Sequence, residues 1–197
     1  MTDHAALVHG EPVGKHRVDA YLSGRGGTAL SASAQRQRRR WATQVVVGDE
    51  LARRACADRD LPVPDEVRAT QLLTVEDMGS IVAATLAHSP AARVLLADLE
   101  SAQDVPETAV ADYYRRNRDR FLTPDALRRG IDPFGRATPA DFLPYEQVRE
   151  GIGRELRQAA GRRAFFDWFD QARADVVYAA GHEHPGDPSH QDHEHRH

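Results

Sequence analysis

The sequence has one cysteine, one lysine and no long apolar run, and two of these shortages exclude whole classes of protein. Cys56, the single cysteine, excludes an internal disulfide framework and any zinc or iron–sulfur site built from several cysteines. The longest apolar runs are three to five residues, whereas a membrane-spanning helix needs about 18. The first 30 residues also lack the basic start and apolar stretch of a secretory signal. We therefore expect a cytoplasmic protein.

The charge balance gives no support to a nucleic-acid-binding protein. The chain has 26 basic and 30 acidic residues and a net charge of −4, whereas nucleic-acid binders usually carry a basic excess. Its 197 residues, 41% of them hydrophobic, are enough for one packed domain. We expect a globular body that binds neither nucleic acid nor membrane.

Apolar residues recur at spacings of three and four over most of the chain, which predicts a mainly all-α fold. A short strand near Leu7–His9 is expected to pair with Val176–Tyr178, in a body that spans residues 1–180. Residues 122–143 are rich in proline and glycine and predict an extended connector. Residues 181–197 predict a disordered tail. The predicted helices run over about 33–59, from Asp77 to before Pro90, and over about 91–99, 106–121 and 144–175.

The order of these elements resembles the helical chaperone module of the SurA and parvulin-type peptidyl-prolyl isomerase family. The matching stretches are Val8–Val13 with Val18-Asp19, Val45–Leu61, Val110–Phe121, Tyr145–Phe169 and Val176–Tyr178. In isomerase members of the family, the catalytic parvulin domain lies between the elements that correspond to Phe121 and Phe142. Here that interval, residues 122–143, has 22 residues, fewer than the roughly 40 that a domain needs to fold without help. It holds neither histidine nor cysteine, so no catalytic residue carries over and we expect no isomerase activity.

The resemblance implies a cradle of helices that binds unfolded or partly folded proteins through apolar surface. Such a surface must exceed the roughly 300–600 Å² patch of an ordinary monomer. Five aromatic residues are the candidates for client binding, unless they simply fill the core: Tyr113, Tyr114, Phe165, Trp168 and Phe169.

Six of the ten histidines lie in the last 16 residues, interleaved with acidic residues. Neutral imidazoles bind zinc, nickel, copper and cobalt, and carboxylates can complete the coordination shell. The sequence therefore predicts a weak, exchangeable metal site whose affinity falls as the imidazoles protonate. A low-complexity tail whose metal binding is incidental is the alternative. The candidate ligands are His182, His184, His190, His193, His195 and His197.

No enzyme signature accompanies these features. An acyltransferase or serine hydrolase would need a Gly-x-Ser-x-Gly elbow, and the nearest fragment, Ala87-His-Ser-Pro-Ala91, lacks both glycines. Cys56 lies in a helical apolar stripe and is predicted to be a core residue.

Together these observations predict a chaperone-like protein with a metal-binding tail. Its client could be a metalloenzyme, whose maturation the protein would assist. The alternatives are a metal-storage or metal-delivery protein and a degenerate prolyl isomerase.

Overall fold

A computed structural model of the chain describes residues 3–23, 31–64 and 80–183, and it confirms a mainly helical fold with a small sheet. Two short 3₁₀ helices, Arg118–Phe121 and Pro139–Asp141, also occur. The main elements are β1 (His4–Val8), β2 (Glu11–Gly14), α1 (Lys15–Ser23), α2 (Ala32–Asp58), α3 (Ile81–His88), α4 (Pro90–Ser101), α5 (Glu107–Arg116), α6 (Pro124–Arg128), α7 (Tyr145–Ala172) and β3 (Val177–Tyr178).

The sheet joins the beginning and the end of the described chain. Strand β3 pairs antiparallel with β1, with Leu7 opposite Val177, so the pairing expected from the sequence is confirmed. The sheet has a third strand that the sequence analysis missed, because β2 returns along the other edge of β1. His9 and Gly10 both have positive φ angles, 51° and 82°. Two such residues form the tight turn whose twist matches that of a hairpin.

The predicted helices are present, with shifted ends. Helix α3 begins after Ser80, whose side chain accepts a hydrogen bond from Ala83 N, whereas the predicted cap Asp77 lies outside the described residues. Helix α5 ends at Arg116 rather than at Phe121, because the Asn117 side chain donates a hydrogen bond to Tyr113 O and a 3₁₀ turn follows. None of the described helices has the length and apolar character needed to cross a membrane.

The chain forms two compact units: residues 1–96 with 165–197, and residues 97–164. In the first unit, α2 is the central element. Eight consecutive positions of α2, residues 42–49, are buried, so this stretch is enclosed on all sides rather than on one stripe. The surrounding core contains side chains from the sheet, α1, α3 and α7, including Val8, Val18, Ala84 and Trp168.

The second unit contains two small apolar clusters. Val110 of α5, Phe121 and Ile152 of α7 form the larger one. Helices α4 and α7 approach closely at Gly161, where an added Cβ would lie 2.7 Å from Glu100 Cα. That distance is below van der Waals contact, so only glycine fits there without movement of the α4 backbone.

Candidate functional site

Residues 122–143, predicted to be an extended connector, form a closed and folded loop. We call them the 122–143 loop. Its two ends are joined by an antiparallel bridge between Leu122 and Phe142. Thr123 N donates to Asp141 O at 2.8 Å, and Leu143 N donates to Phe121 O at 2.7 Å. The expectation of an extended connector was wrong, because its prolines start short helical turns instead of preventing them: Pro124 opens α6 and Pro139 opens the second 3₁₀ turn.

Asp141 holds the loop in shape. Its carboxylate accepts hydrogen bonds of 2.8 Å from both Thr138 N and Thr138 Oγ1, and it also pairs with the Arg129 guanidinium. The backbone hydrogen bond from Thr138, followed by the side-chain bonds from Thr138 and Arg129, holds the pKa of Asp141 below its ordinary value. The carboxylate is therefore ionised at neutral pH and fixes the loop conformation.

The loop has a small apolar interior, yet two large apolar side chains lie on its outside. Ala126 and Phe142 are buried with Leu122, and Ile131 packs against them. By contrast, Leu127 is 60% exposed and Phe134 is 68% exposed. Sequence reasoning missed both residues. For Phe134 the sequence did contain a signal, because this aromatic residue stands between Pro133 and Gly135. Proline and glycine favour a turn, and a turn offers the side chain no helix or strand face on which to pack.

The five aromatic residues predicted to bind clients do not form one exposed patch. Phe165 and Phe169 are 1% and 3% exposed, within the core of the first unit. The expectation that these two present a surface was wrong, because the hydrophobic gain from burial is larger for a side chain enclosed on all sides. Trp168 is half-buried against the same core.

Tyr113 and Tyr114 lie in the other unit, where both are half-buried beside Phe121. Their hydroxyl groups are engaged: Tyr113 donates to Glu155 Oε1 at 3.0 Å, and Tyr114 donates to Leu143 O at 2.6 Å. Both tyrosines thus help to pack α5 against its neighbours, and neither ring is fully presented to solvent.

His182, which the sequence analysis placed in the solvated tail, is buried with 5% exposure. Its Nδ1 lies 2.8 Å from Thr43 Oγ1, and the Thr43 hydroxyl donates to Arg39 O at 2.9 Å. The Thr43 hydroxyl has one hydrogen, and when this goes to Arg39 O the hydroxyl oxygen can accept a hydrogen bond from His182 Nδ1–H. Burial, with the nearby charges of Lys15 and Arg39, lowers the pKa of His182.

A second set of contacts fixes the chain at the same point. Gln44 Nε2 donates to His182 O at 3.5 Å, and the Tyr178 hydroxyl donates to Gln44 Oε1 at 2.9 Å. Glu183 lies 3.8 Å from Arg40. The first residues of the predicted tail are therefore anchored on α2, and the placement of His182 in a disordered tail was wrong. Its surroundings are those of a structural residue.

The other predicted metal ligands, His184, His190, His193, His195 and His197, lie outside the described residues. Within residues 3–23, 31–64 and 80–183, no group of three or more histidine, cysteine, aspartate or glutamate side chains could hold a metal ion. The donor chemistry of the last 14 residues fits an ion such as zinc or nickel. The metal site thus stays a prediction from the tail sequence.

Two residues that could suggest an enzyme are part of the core of the first unit. Ser89 is fully buried, and its hydroxyl accepts from Ala92 N at 3.0 Å as the cap of α4. Cys56 is also fully buried, and its thiol donates to Ala91 O at 3.4 Å. Neither side chain is accessible to a substrate.

Ion pairs fasten α1 to α2 in the same unit. Arg17 binds both Asp49 at 3.1 Å and Glu50 at 2.7 Å, and Arg53 and Arg54 bind the same two carboxylates from the next turn. Burial alone would raise the pKa of Asp49, but the hydrogen bonds from Arg53 and Ser89 and the charges of Arg53 and His88 together outweigh it, and the pKa is lowered. The pKa of Glu50 is lowered for the same reason, with burial opposed by Arg17 and Arg54.

Comparison with known proteins gives no match: no protein-family model, no curated protein and no solved structure matches the chain. The resemblance to SurA and the parvulins therefore stays a prediction from the sequence.

Proposed function

We propose that the chain is a chaperone-like protein that binds unfolded or partly folded polypeptides, has no prolyl-isomerase activity, and carries a metal-binding tail. The observation that supports this most is the 122–143 loop, which presents Leu127 and Phe134 to solvent. In the family that the sequence resembles, the isomerase domain occupies this interval. The client would therefore contact the loop that stands in place of that domain.

The folded state of the loop favours binding. Because bridging hydrogen bonds and Asp141 already fix its backbone, little ordering entropy is lost when a client contacts it. Burying a whole Leu or Phe side chain contributes about 1.5–3 kcal/mol. Since about two thirds of Phe134 is exposed, covering it contributes about 1–2 kcal/mol, or about a five- to thirtyfold gain in affinity. Such contacts are weak and exchangeable, as a chaperone that releases its clients requires.

An aggregation assay tests the loop. The full chain should suppress the aggregation of a chemically unfolded test protein, and the double variant Leu127→Ser/Phe134→Ser should lose most of that suppression. Phe166→Ser is the matched control, because Phe166 is 46% exposed on α7 and is not in the loop. The proposal fails if the unmodified chain does not suppress aggregation, or if Phe166→Ser is as damaging as the double variant.

The tail is tested separately. Titration with zinc, nickel, copper or cobalt should show binding that disappears when residues 184–197 are deleted and weakens below about pH 6.5, where imidazoles protonate. A tail that retains no ion would refute the metal part of the proposal. A proline-tetrapeptide assay should give no turnover, and clear turnover would refute the absence of isomerase activity.

Metal delivery to one partner, such as an immature metalloenzyme, is the second candidate function. The anchoring of His182 favours it, because the remaining five histidines then begin at a fixed point on α2 rather than on a free end. Affinity capture with the full and the tail-deleted chains, with and without metal, separates the two functions. A delivery protein retains one partner and loses it on tail deletion, whereas a chaperone retains many clients with either chain.

A further inference from the structure

The second unit contains an open cleft of about 600 Å³ between the end of α4 and the middle of α7. Its volume falls in the range of ligand-sized pockets, about 300–1,000 Å³. The residues that line it are Ala97, Glu100, Ser101, Gln103, Arg154, Arg157 and Gln158. The close approach of the two helices at Gly161 holds one end of the cleft together.

The α7 wall of this cleft carries three polar side chains that have no partner in the described part of the chain. Arg154, Arg157 and Gln158 stand at positions i, i+3 and i+4, which lie on one helix face. Neither guanidinium makes an ion pair there, unlike Arg120 and Arg149 of the same unit, which bind Glu155 and Glu146. Two unpaired guanidinium groups about one turn apart on the same helix face repel each other, so an anion that pairs with both is favourable.

The α4 wall adds hydrogen-bonding groups and little opposing charge. Ser101 and Gln103 contribute a hydroxyl and an amide, each bonded to the backbone of its own helix end. Glu100 is the only carboxylate among the lining residues. Burial raises the pKa of Glu100, and the Arg162 charge opposes this only in part. The cleft thus has a net positive lining.

We infer that this cleft binds an acidic segment of a client polypeptide, whose carboxylates pair with Arg154 and Arg157 while its backbone meets the Ser101, Gln103 and Gln158 side chains. The inference rests on the proposed function, because it takes the ligand to be a polypeptide. An extended peptide suits the site because the cleft is open to solvent, so that a chain can enter and leave it, and because amide side chains match a peptide backbone.

Fluorescence anisotropy with a labelled acidic peptide tests the inference on the full chain. The double variant Arg154→Gln/Arg157→Gln should bind the acidic peptide about tenfold more weakly than the unmodified chain does. A control peptide with glutamines in place of the acidic residues should bind the unmodified chain equally weakly. Arg163→Gln is the matched control, since Arg163 is an exposed arginine of α7 outside the cleft. It should leave affinity unchanged at the same ionic strength.

Three results would overturn the inference: no binding of the acidic peptide, equal weakening by Arg163→Gln, or displacement of the peptide by inorganic phosphate at equimolar concentration, which would indicate a small-anion site.

The arginine variants should unfold at the same urea concentration as the unmodified chain, so a loss of binding cannot come from unfolding. If aggregation suppression depends on Phe134 but the peptide ignores Arg154 and Arg157, this inference fails and the proposed function stands. If peptide binding depends on Arg154 and Arg157 but aggregation suppression does not depend on Phe134, only the role of the loop is refuted and the cleft inference stands.

Discussion

The same substitution at two glycines of α7 should change stability in opposite directions. Gly151 and Gly161 are ten residues apart in one helix and belong to the same unit. Gly151 is exposed, with no atom within 4 Å of an added Cβ, whereas at Gly161 the added Cβ would lie 2.7 Å from Glu100 Cα. Alanine at both positions isolates packing from helix propensity.

The expected magnitudes follow from two terms. Replacing glycine by alanine inside a helix favours folding by about 0.8–1 kcal/mol, and this is the only term at Gly151. At Gly161 the α4 backbone must also retreat by about 0.7 Å to restore contact, and overpacking of this kind costs about 1–3 kcal/mol, sometimes more. We expect Gly151→Ala to stabilise the unit by about 1 kcal/mol. Gly161→Ala should destabilise it by up to about 2 kcal/mol, the overpacking cost less the gain in helix propensity.

Urea unfolding followed by far-ultraviolet circular dichroism measures both changes. Hydrogen exchange of the α5 amides reports on the same unit and checks that the change arises there. A stabilised Gly161→Ala protein would refute the reasoning, because it would mean that α4 and α7 are not in close contact at this point. If Gly151→Ala left the free energy of unfolding unchanged, helix propensity at this position would not contribute to the stability of the unit.

Three further outcomes are expected. Gly48→Ala should destabilise the first unit by up to about 2 kcal/mol in urea unfolding, because the added Cβ would lie 2.7–2.9 Å from the buried Thr85 and Phe169 and this overpacking exceeds the gain in helix propensity. His182→Ala should also lower the free energy of unfolding by about 1–3 kcal/mol, seen as a lower urea midpoint, while metal binding by the tail remains. Because the pKa values of Asp49 and Glu50 are lowered in the folded state, their stabilisation is complete above about pH 5, decreases as the pH falls below about 4, and is lost as the pH falls through the lower folded-state pKa values. Urea midpoints measured from pH 6 to pH 3 would show this loss, and Asp49→Asn should flatten the curve.

The helical fold could be predicted because the apolar spacing and the punctuating prolines are strong local signals. The pairing of Leu7 with Val177 could also be predicted, since both lie in β-prone runs. Strand β2 could not, because Glu-Pro-Val-Gly is short and contains a proline. Its existence depends on positive φ angles at His9 and Gly10, and histidine is not a typical residue for such a turn.

The candidate site was harder to predict, because exposure is a property of the assembled fold. Phe165 and Leu127 look alike in sequence, yet one is 1% and the other 60% exposed. Which one is covered depends on packing partners far away along the chain, and periodicity does not report these. His182 shows the same limit in the opposite direction, since its histidine-rich neighbourhood predicts a solvated ligand while Thr43, 139 residues away, provides a buried partner. Composition therefore identifies the chemistry that a segment can perform, and long-range contacts determine which of its residues remain available to perform it.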